Sequence, residues 1–126
     1  MVGVESHAES VAQARYNAGL NGIENVSFHA ETVEKWLPAY DPDQPEGQPD
    51  AVVLDPPRRG CDPAVVKALV RLRSPRIAYV SCNPATLARD LKGLCEGGYQ
   101  VTQVQPMDFF PQTSHVECVA FLTYGR

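Results

Sequence analysis

The sequence contains no apolar run near the roughly 20 residues that a helical bilayer crossing requires. It also opens without the basic start and apolar stretch of a secretory signal, since Met1 is followed by Val-Gly-Val-Glu. These absences set the expectation of a cytoplasmic protein with no membrane partner. An excess of basic charge is missing too. Lys and Arg total 11 against 15 Asp and Glu, a formal charge of −4. That balance excludes a strongly basic nucleic-acid module while leaving room for local patches. Arg58, Arg59, Arg71, Arg73, Arg76, Arg89 and Lys92 all fall within one stretch. The cysteines, at 61, 82, 95 and 118, form no CxxC pair, and His7, His29 and His115 do not cluster with them. Neither a metal site nor a disulfide framework is expected.

What is present is an alternation of strands and helices in a chain of 126 residues. "MVGVE", "NVSFHA", "DAVVLDPP", "RIAYVS", "YQVTQVQPMD" and "ECVAFLTYG" read as six strands. Ser6 followed by Glu9 reads as a capping box that starts a helix near His7, with Val11, Ala14, Ala18 and Leu20 as its inner stripe. A short helix is expected from about Thr32 to Leu37, then a proline-rich loop over 38–50. Asp62-Pro63 and Asn83-Pro84 each pair an N-cap with a proline at the first helical position, and Gly97-Gly98 closes the last helix. The resulting class is α/β, with a mostly parallel, doubly wound sheet. Ligands of such sheets gather at the carboxyl ends of the strands, where Glu5, Glu31, Asp55, Cys82 and Asp108 fall. No GxGxxG turn precedes the element that ends in Glu5. The reading is therefore of a sheet that lacks its first strand.

Four constellations bear on chemistry. Glu5, at a strand end, is either an acceptor for ribose hydroxyls or a solvated charge. In "DPPRRG", Asp55 ends an apolar strand, and Pro56 and Pro57 offer rigid faces for a planar group. Arg58 and Arg59 can hold phosphates, or the whole stretch is a stiff turn. In "YVSCNPATLARDL", Cys82 stands between a strand and a capped helix whose positive end favours thiolate. That is the setting of a nucleophile. Cys95 and Cys118 read as core residues, and Cys61 as a loop cysteine without a partner. In "DFFPQTSHVE", Phe109, Phe110 and Pro111 supply a stacking surface. Glu117 there is either a proton acceptor or a solvated strand-start residue, and His115 is more commonly structural than catalytic.

The three motifs, in this order, resemble the S-adenosylmethionine-dependent RNA (uracil-5-)-methyltransferases, and the match runs over nearly the whole chain. The spacing is closer to the branch acting on 23S ribosomal RNA than to the tRNA branch. The resemblance implies a class I methyltransferase sheet, an RNA substrate and S-adenosyl-L-methionine as cofactor. It implies that Cys82 adds to C6 of the target uracil and that Glu117 removes the C5 proton. Glu5 matches the ribose-binding acid, Glu31 of "HAET" the adenine-side acid, and Asp55 the motif acid beside the cofactor. Pro56, Pro57, Arg58, Phe109 and His115 are the residues expected to face the base and its RNA.

The same resemblance implies that residues 1–126 are a partial catalytic domain, without the cofactor-loop strand and an N-terminal RNA-binding domain. Such a segment is expected to be inactive alone and to leave two strand edges unpaired. It then closes the gap, shares strands in a homodimer, or loses stability. An RNA cytosine-5-methyltransferase is the enzymatic rival, although that family carries "DPPCSG" where Arg58 stands here. A non-catalytic RNA-binding or assembly module is the rival of another class.

Overall fold

The computed structural model describes residues 1–44, 47–108 and 117–125. It comprises two compact units, Met1–Tyr40 and Asp41–Arg126.

The first unit holds β1 (Val2–Glu5), α1 (Ala8–Leu20), β2 (Ser27–Ala30) and α2 (Val33–Ala39). β1 and β2 pair in parallel, from Val2↔Ser27 to Glu5↔Ala30. The N-cap of α1 is His7 rather than part of a Ser6 capping box. The His7 ring nitrogen Nδ1 accepts from Ser10 N at 3.3 Å, and the Glu5 carboxylate accepts from His7 N at 3.0 Å. These bonds move the helix start one residue along. Val11 is buried and Ala14 and Ala18 are half-buried, as the stripe predicts. Leu20 is exposed instead, because it lies outside that stripe at the last turn.

The second unit holds β3 (Val52–Leu54), α3 (Pro63–Leu72), β4 (Arg76–Ser81), α4 (Pro84–Glu96), β5 (Tyr99–Met107) and β6 (Glu117–Tyr124). Its sheet has the order β3-β4-β6-β5. β3 and β4 are parallel, whereas β6 runs antiparallel to both of its neighbours. The α/β class expected from the sequence holds, and within it the sheet is mixed. The reason is length: residues 108–116 are fewer than the dozen or so that a parallel crossover needs. β5 is an edge strand, as is β3, and tolerates Pro106 there.

Both helices of this unit start as their sequences dictate. Asp62 caps α3 by accepting from Ala64 N at 2.9 Å, with Pro63 at the first position. The buried residues of α3, Val65, Ala68, Leu69 and Leu72, follow the i, i+3, i+4, i+7 rule. They pack with Leu87 and Leu94 of α4 and with the Ile77, Tyr79, Ala120 and Leu122 face of the sheet to form the core. Each such fully buried aliphatic side chain stabilises the unit by about 1.5–3 kcal/mol before entropy is counted. The opposite sheet face is more open: register puts Val53 and Phe121 on it, 75% and 39% exposed.

Two expectations about cysteine fail here. Cys95 is exposed rather than core, because it sits one residue, about 100° of helix, past the buried Leu94. Cys118 is half-buried. Cys61, by contrast, is buried and has partners.

Candidate active site

The carboxyl end of β4 sets the geometry of the second unit. Ser81 Oγ donates to Asn83 O at 3.0 Å and accepts from Asn83 N at 3.1 Å. That closed turn holds Cys82 at its tip, half-buried. Asn83 then caps α4, its side chain accepting from Ala85 N at 3.1 Å, with Pro84 following. The β4–β6 ladder runs from Arg76↔Thr123 to Ser81↔Cys118. Cys82 follows the last paired residue of β4, and Glu117, the first residue of β6, precedes Cys118 on the partner strand. The register thus places Cys82 and Glu117 at the same end of the β4–β6 pair.

Asp55 follows β3 directly and is exposed. The β3–β4 register, ending at Leu54↔Tyr79, sets Asp55 level with Val80, two residues short of Cys82. The chain then turns, with Gly60 N donating to Pro57 O at 2.8 Å. Pro56 is half-buried, while Pro57, Arg58 and Arg59 are exposed.

This turn is tied to α4 through its backbone. Arg58 O accepts from Asn83 Nδ2 at 3.1 Å and from Thr86 Oγ1 at 2.9 Å. Arg89 Nη2 donates to Arg59 O at 2.8 Å and to Cys61 O at 3.2 Å. Cys61 N donates to Asp90 Oδ2 at 2.7 Å. The same oxygen accepts from Tyr79 Oη at 2.6 Å. Asp90 Oδ1 accepts from Arg89 Nε and Nη2, both at 3.1 Å. Asp90 is 2% exposed, so its charge is matched inside the protein. Gly60, at φ +80°, fits because it has no Cβ: one built there would lie 2.5 Å from Arg89 Nη2 and 2.7 Å from Asp90 Oδ2.

Burial pushes the Cys61 thiol up to about 11, the coulombic effect of Asp90 adding to it. Burial, then the bond to Asp90, holds the Tyr79 hydroxyl far above its ordinary value. Both groups are protonated at neutral pH, so Cys61 is no second nucleophile.

In the first unit, Glu5 ends β1, and Glu31 N donates to Glu5 O at 3.1 Å, extending the β1–β2 ladder. The two acids are therefore neighbours at the carboxyl end of that pair. Glu5 Oε1 accepts from His7 N and Glu31 Oε1 from Thr32 N, both at 3.0 Å. Beside them Trp36 stacks on Tyr40 at 4.9 Å between centroids and tilts against His29 at 5.3 Å.

Of the residues expected from sequence, Cys82 and Glu117 fall at the same end of the β4–β6 pair in the second unit, with Asp55, Pro56, Pro57 and Arg58 after the neighbouring strand β3. Glu5 and Glu31 are brought together in the first. Phe109 and His115 lie outside the described residues. Sequence reasoning missed Thr86, Arg89 and Asp90. The available signal was a carboxylate at 90 within the apolar stripe of Leu87 and Leu94.

Comparison with known proteins matches residues 1–124 to the family described as tRNA (Uracil-5-)-methyltransferase. An uncharacterized RNA methyltransferase of Gloeobacter violaceus is 57% identical over 122 residues, covering 97% of this chain and 25% of the relative. One from Thermosynechococcus vestitus is 52% identical over 124 residues, covering 98% and 26%. The crystal structure of the Pyrococcus abyssi tRNA (uracil-54, C5)-methyltransferase in complex with S-adenosyl-L-homocysteine superimposes with a TM-score of 0.81 at 35% identity, over 97% of this chain and 28% of that one. The chain thus spans about a quarter of the length of these relatives. With the match of 1–124 and the shared α/β methyltransferase fold, the chain belongs to the tRNA (uracil-5-)-methyltransferase family.

Proposed function

We propose that this segment carries the catalytic residues of an RNA methyltransferase acting on C5 of a uridine. The observation that supports it is the end of the β4–β6 ladder at Ser81↔Cys118, which leaves Cys82 and Glu117 next to it at one end of the pair. C5 of uracil is a poor nucleophile. A thiolate at Cys82 that bonds to C6 drives the C5=C6 electrons toward O4 and makes C5 enolate-like. Once C5 carries the methyl group, Glu117 takes the C5 proton. The freed electron pair restores C5=C6 and expels the Cys82 thiolate. A uracil in folded RNA has to leave its stack to meet the sulfur. Pro56, Pro57 and Arg58, with Phe109 and His115, are the residues we assign to holding it.

The donor set suits S-adenosyl-L-methionine, which supplies the electrophilic methyl group when bound. Glu5 and Glu31 are carboxylates at a strand end, each with one oxygen oriented by a backbone N–H. A carboxylate has about four lone-pair sites, so hydroxyl groups of an adenosine can still be accepted. We assign Glu5 and Glu31 to that part of the cofactor and Asp55 to its reacting end. The chain has no GxGxxG turn. Together with the quarter-length span of the relatives, this supports reading it as part of a longer catalytic domain. Large-subunit ribosomal RNA is the substrate favoured by motif spacing, to be tested against tRNA.

The test is a covalent trap. The full-length protein carrying this segment is mixed with S-adenosylmethionine and RNA containing 5-fluorouridine, using ribosomal RNA and tRNA in parallel. Fluorine at C5 cannot leave as a proton, so the adduct persists and intact mass maps it to Cys82. Absence of any adduct, with cofactor binding verified in the same sample, rejects the mechanism. The RNA that forms the adduct identifies the branch.

A further inference from the structure

The bonds between α4 and the turn at 58–61 do more than fill space. Asn83, Thr86 and Asp90 are spaced three and four residues apart, so they share one face of α4. The hydrogen bonds from α4 and its cap to the turn end on main-chain atoms: Arg58 O, Arg59 O, Cys61 O and Cys61 N. The turn is therefore tied to α4 through its main chain. Asp90 also reaches Tyr79, three residues before Cys82 on the same chain. One buried carboxylate thus joins the strand that leads into Cys82, the helix that leaves it, and the turn that follows Asp55-Pro56-Pro57.

A buried ion pair is a costly way to gain stability, since apolar side chains of similar volume frequently do as well. Arg89 is 57% exposed at its side chain, which lowers the net value of its pair with Asp90 further. What the pair supplies is direction: a planar guanidinium fork and a carboxylate fix the orientation of three backbone groups at once. We propose that Asp90 and Arg89 are positioning residues for the methyl-transfer reaction, holding the Asp55-Pro56-Pro57 corner at a fixed separation from Cys82. The proposal rests on the uracil-C5 reading above. Both residues act through the turn and touch neither the base nor the cofactor.

The test uses Asp90→Asn and Arg89→Lys in the full-length protein. Asp90→Asn retains an oxygen for Cys61 N and Tyr79 Oη but turns a donor, or nothing, toward Arg89. Arg89→Lys keeps the charge and loses the fork. Leu69→Ala, a core truncation with no bond to the turn, serves as the control for lost stability. All are assayed well below their unfolding temperatures. A misplacement near 1 Å costs up to about 10²-fold in rate. The expected result is a fall in kcat of about 10²-fold for Asp90→Asn and about tenfold for Arg89→Lys. KM for RNA should stay within about twofold, and the rate of 5-fluorouridine adduct formation should fall in parallel with kcat. Leu69→Ala should keep the parent kcat.

Unchanged kcat in Arg89→Lys and in a folded Asp90→Asn overturns the proposal, as does an equal loss in Leu69→Ala. Should Asp90→Asn fail to fold, Arg89→Lys decides, since its side chain is at the surface. Failure of the uracil-C5 reading is recognised separately: the unsubstituted protein then forms no adduct at all, and the positioning role falls with it.

Discussion

Gly60→Ala isolates the cost of disturbing the bonded turn. Gly60 sits at φ +80°, a conformation that an L residue enters at a cost of about 1–2 kcal/mol. A Cβ there also meets Arg89 Nη2 at 2.5 Å and Asp90 Oδ2 at 2.7 Å, with Thr86 Cβ at 3.0 Å. The arginine tip can swing away, but only by releasing Arg59 O and Cys61 O, and Asp90 is buried with nowhere to go. Losing one hydrogen bond to a charged group adds about 1.5–3 kcal/mol. The sum is about 2.5–5 kcal/mol, a large part of the ~5–15 kcal/mol that holds a domain together.

The two contributions separate against Gly22→Ala. Gly22 has φ +65°, yet a Cβ built there meets nothing within 4 Å. That substitution reports backbone strain alone. Urea unfolding of the chain, followed by circular dichroism, should show Gly60→Ala lowering stability by about 1.5–3 kcal/mol more than Gly22→Ala, with the urea slope unchanged. Equal losses would mean that the space around Gly60 is soft and that the bonds from Arg89 and Asp90 are not rigid, and the reasoning about the turn would fail with it.

Two further outcomes follow from the buried groups of the second unit. Cys61 is held at about 11 against an ordinary 9.0, so the unfolded chain releases that proton first. Its stabilisation is complete below pH 9 and is lost as pH rises toward 11, on the order of 2–3 kcal/mol. Tyr99, raised from 10.0 to about 12 by burial and then by Tyr124, adds a loss in the same direction at higher pH. Urea midpoints at pH 8 and pH 10.5 check this, and a midpoint that does not fall contradicts the burial of Cys61. Iodoacetamide under native conditions should label exposed Cys95 first and Cys61 last by at least about tenfold, read by peptide mass; early labelling of Cys61 excludes the enclosed thiol described here.

The elements that sequence disclosed share one trait: their information is local. Asp62-Pro63 and Asn83-Pro84 marked the starts of α3 and α4 because cap and first-turn chemistry is complete within three residues. "RIAYVS" matches β4 from end to end. That His7 rather than Ser6 caps α1 was hidden because imidazole is an uncommon cap, acting here with Glu5 beside it. The direction of β6 was legible only from the length of the connection before it, which alternation alone does not weigh. The candidate site divides the same way. Cys82 and Glu117 stood out as single residues at strand ends, but their placement at the same end of one strand pair depends on a ladder register set by two runs more than thirty residues apart. The tie between α4 and the turn at 58–61 was hidden further, since five of its bonds end on main-chain atoms that carry no residue-type signature. What the sequence did contain was a contradiction: Asp90 lies on the stripe that Leu87 and Leu94 bury. A carboxylate there has to be either a fault in the helix assignment or the anchor of a polar network. The low exposure of Asp90 and its four hydrogen bonds decide for the second. A charged residue that breaks an apolar stripe is thus a sign of a buried polar network, and here residue order alone was enough to point to it.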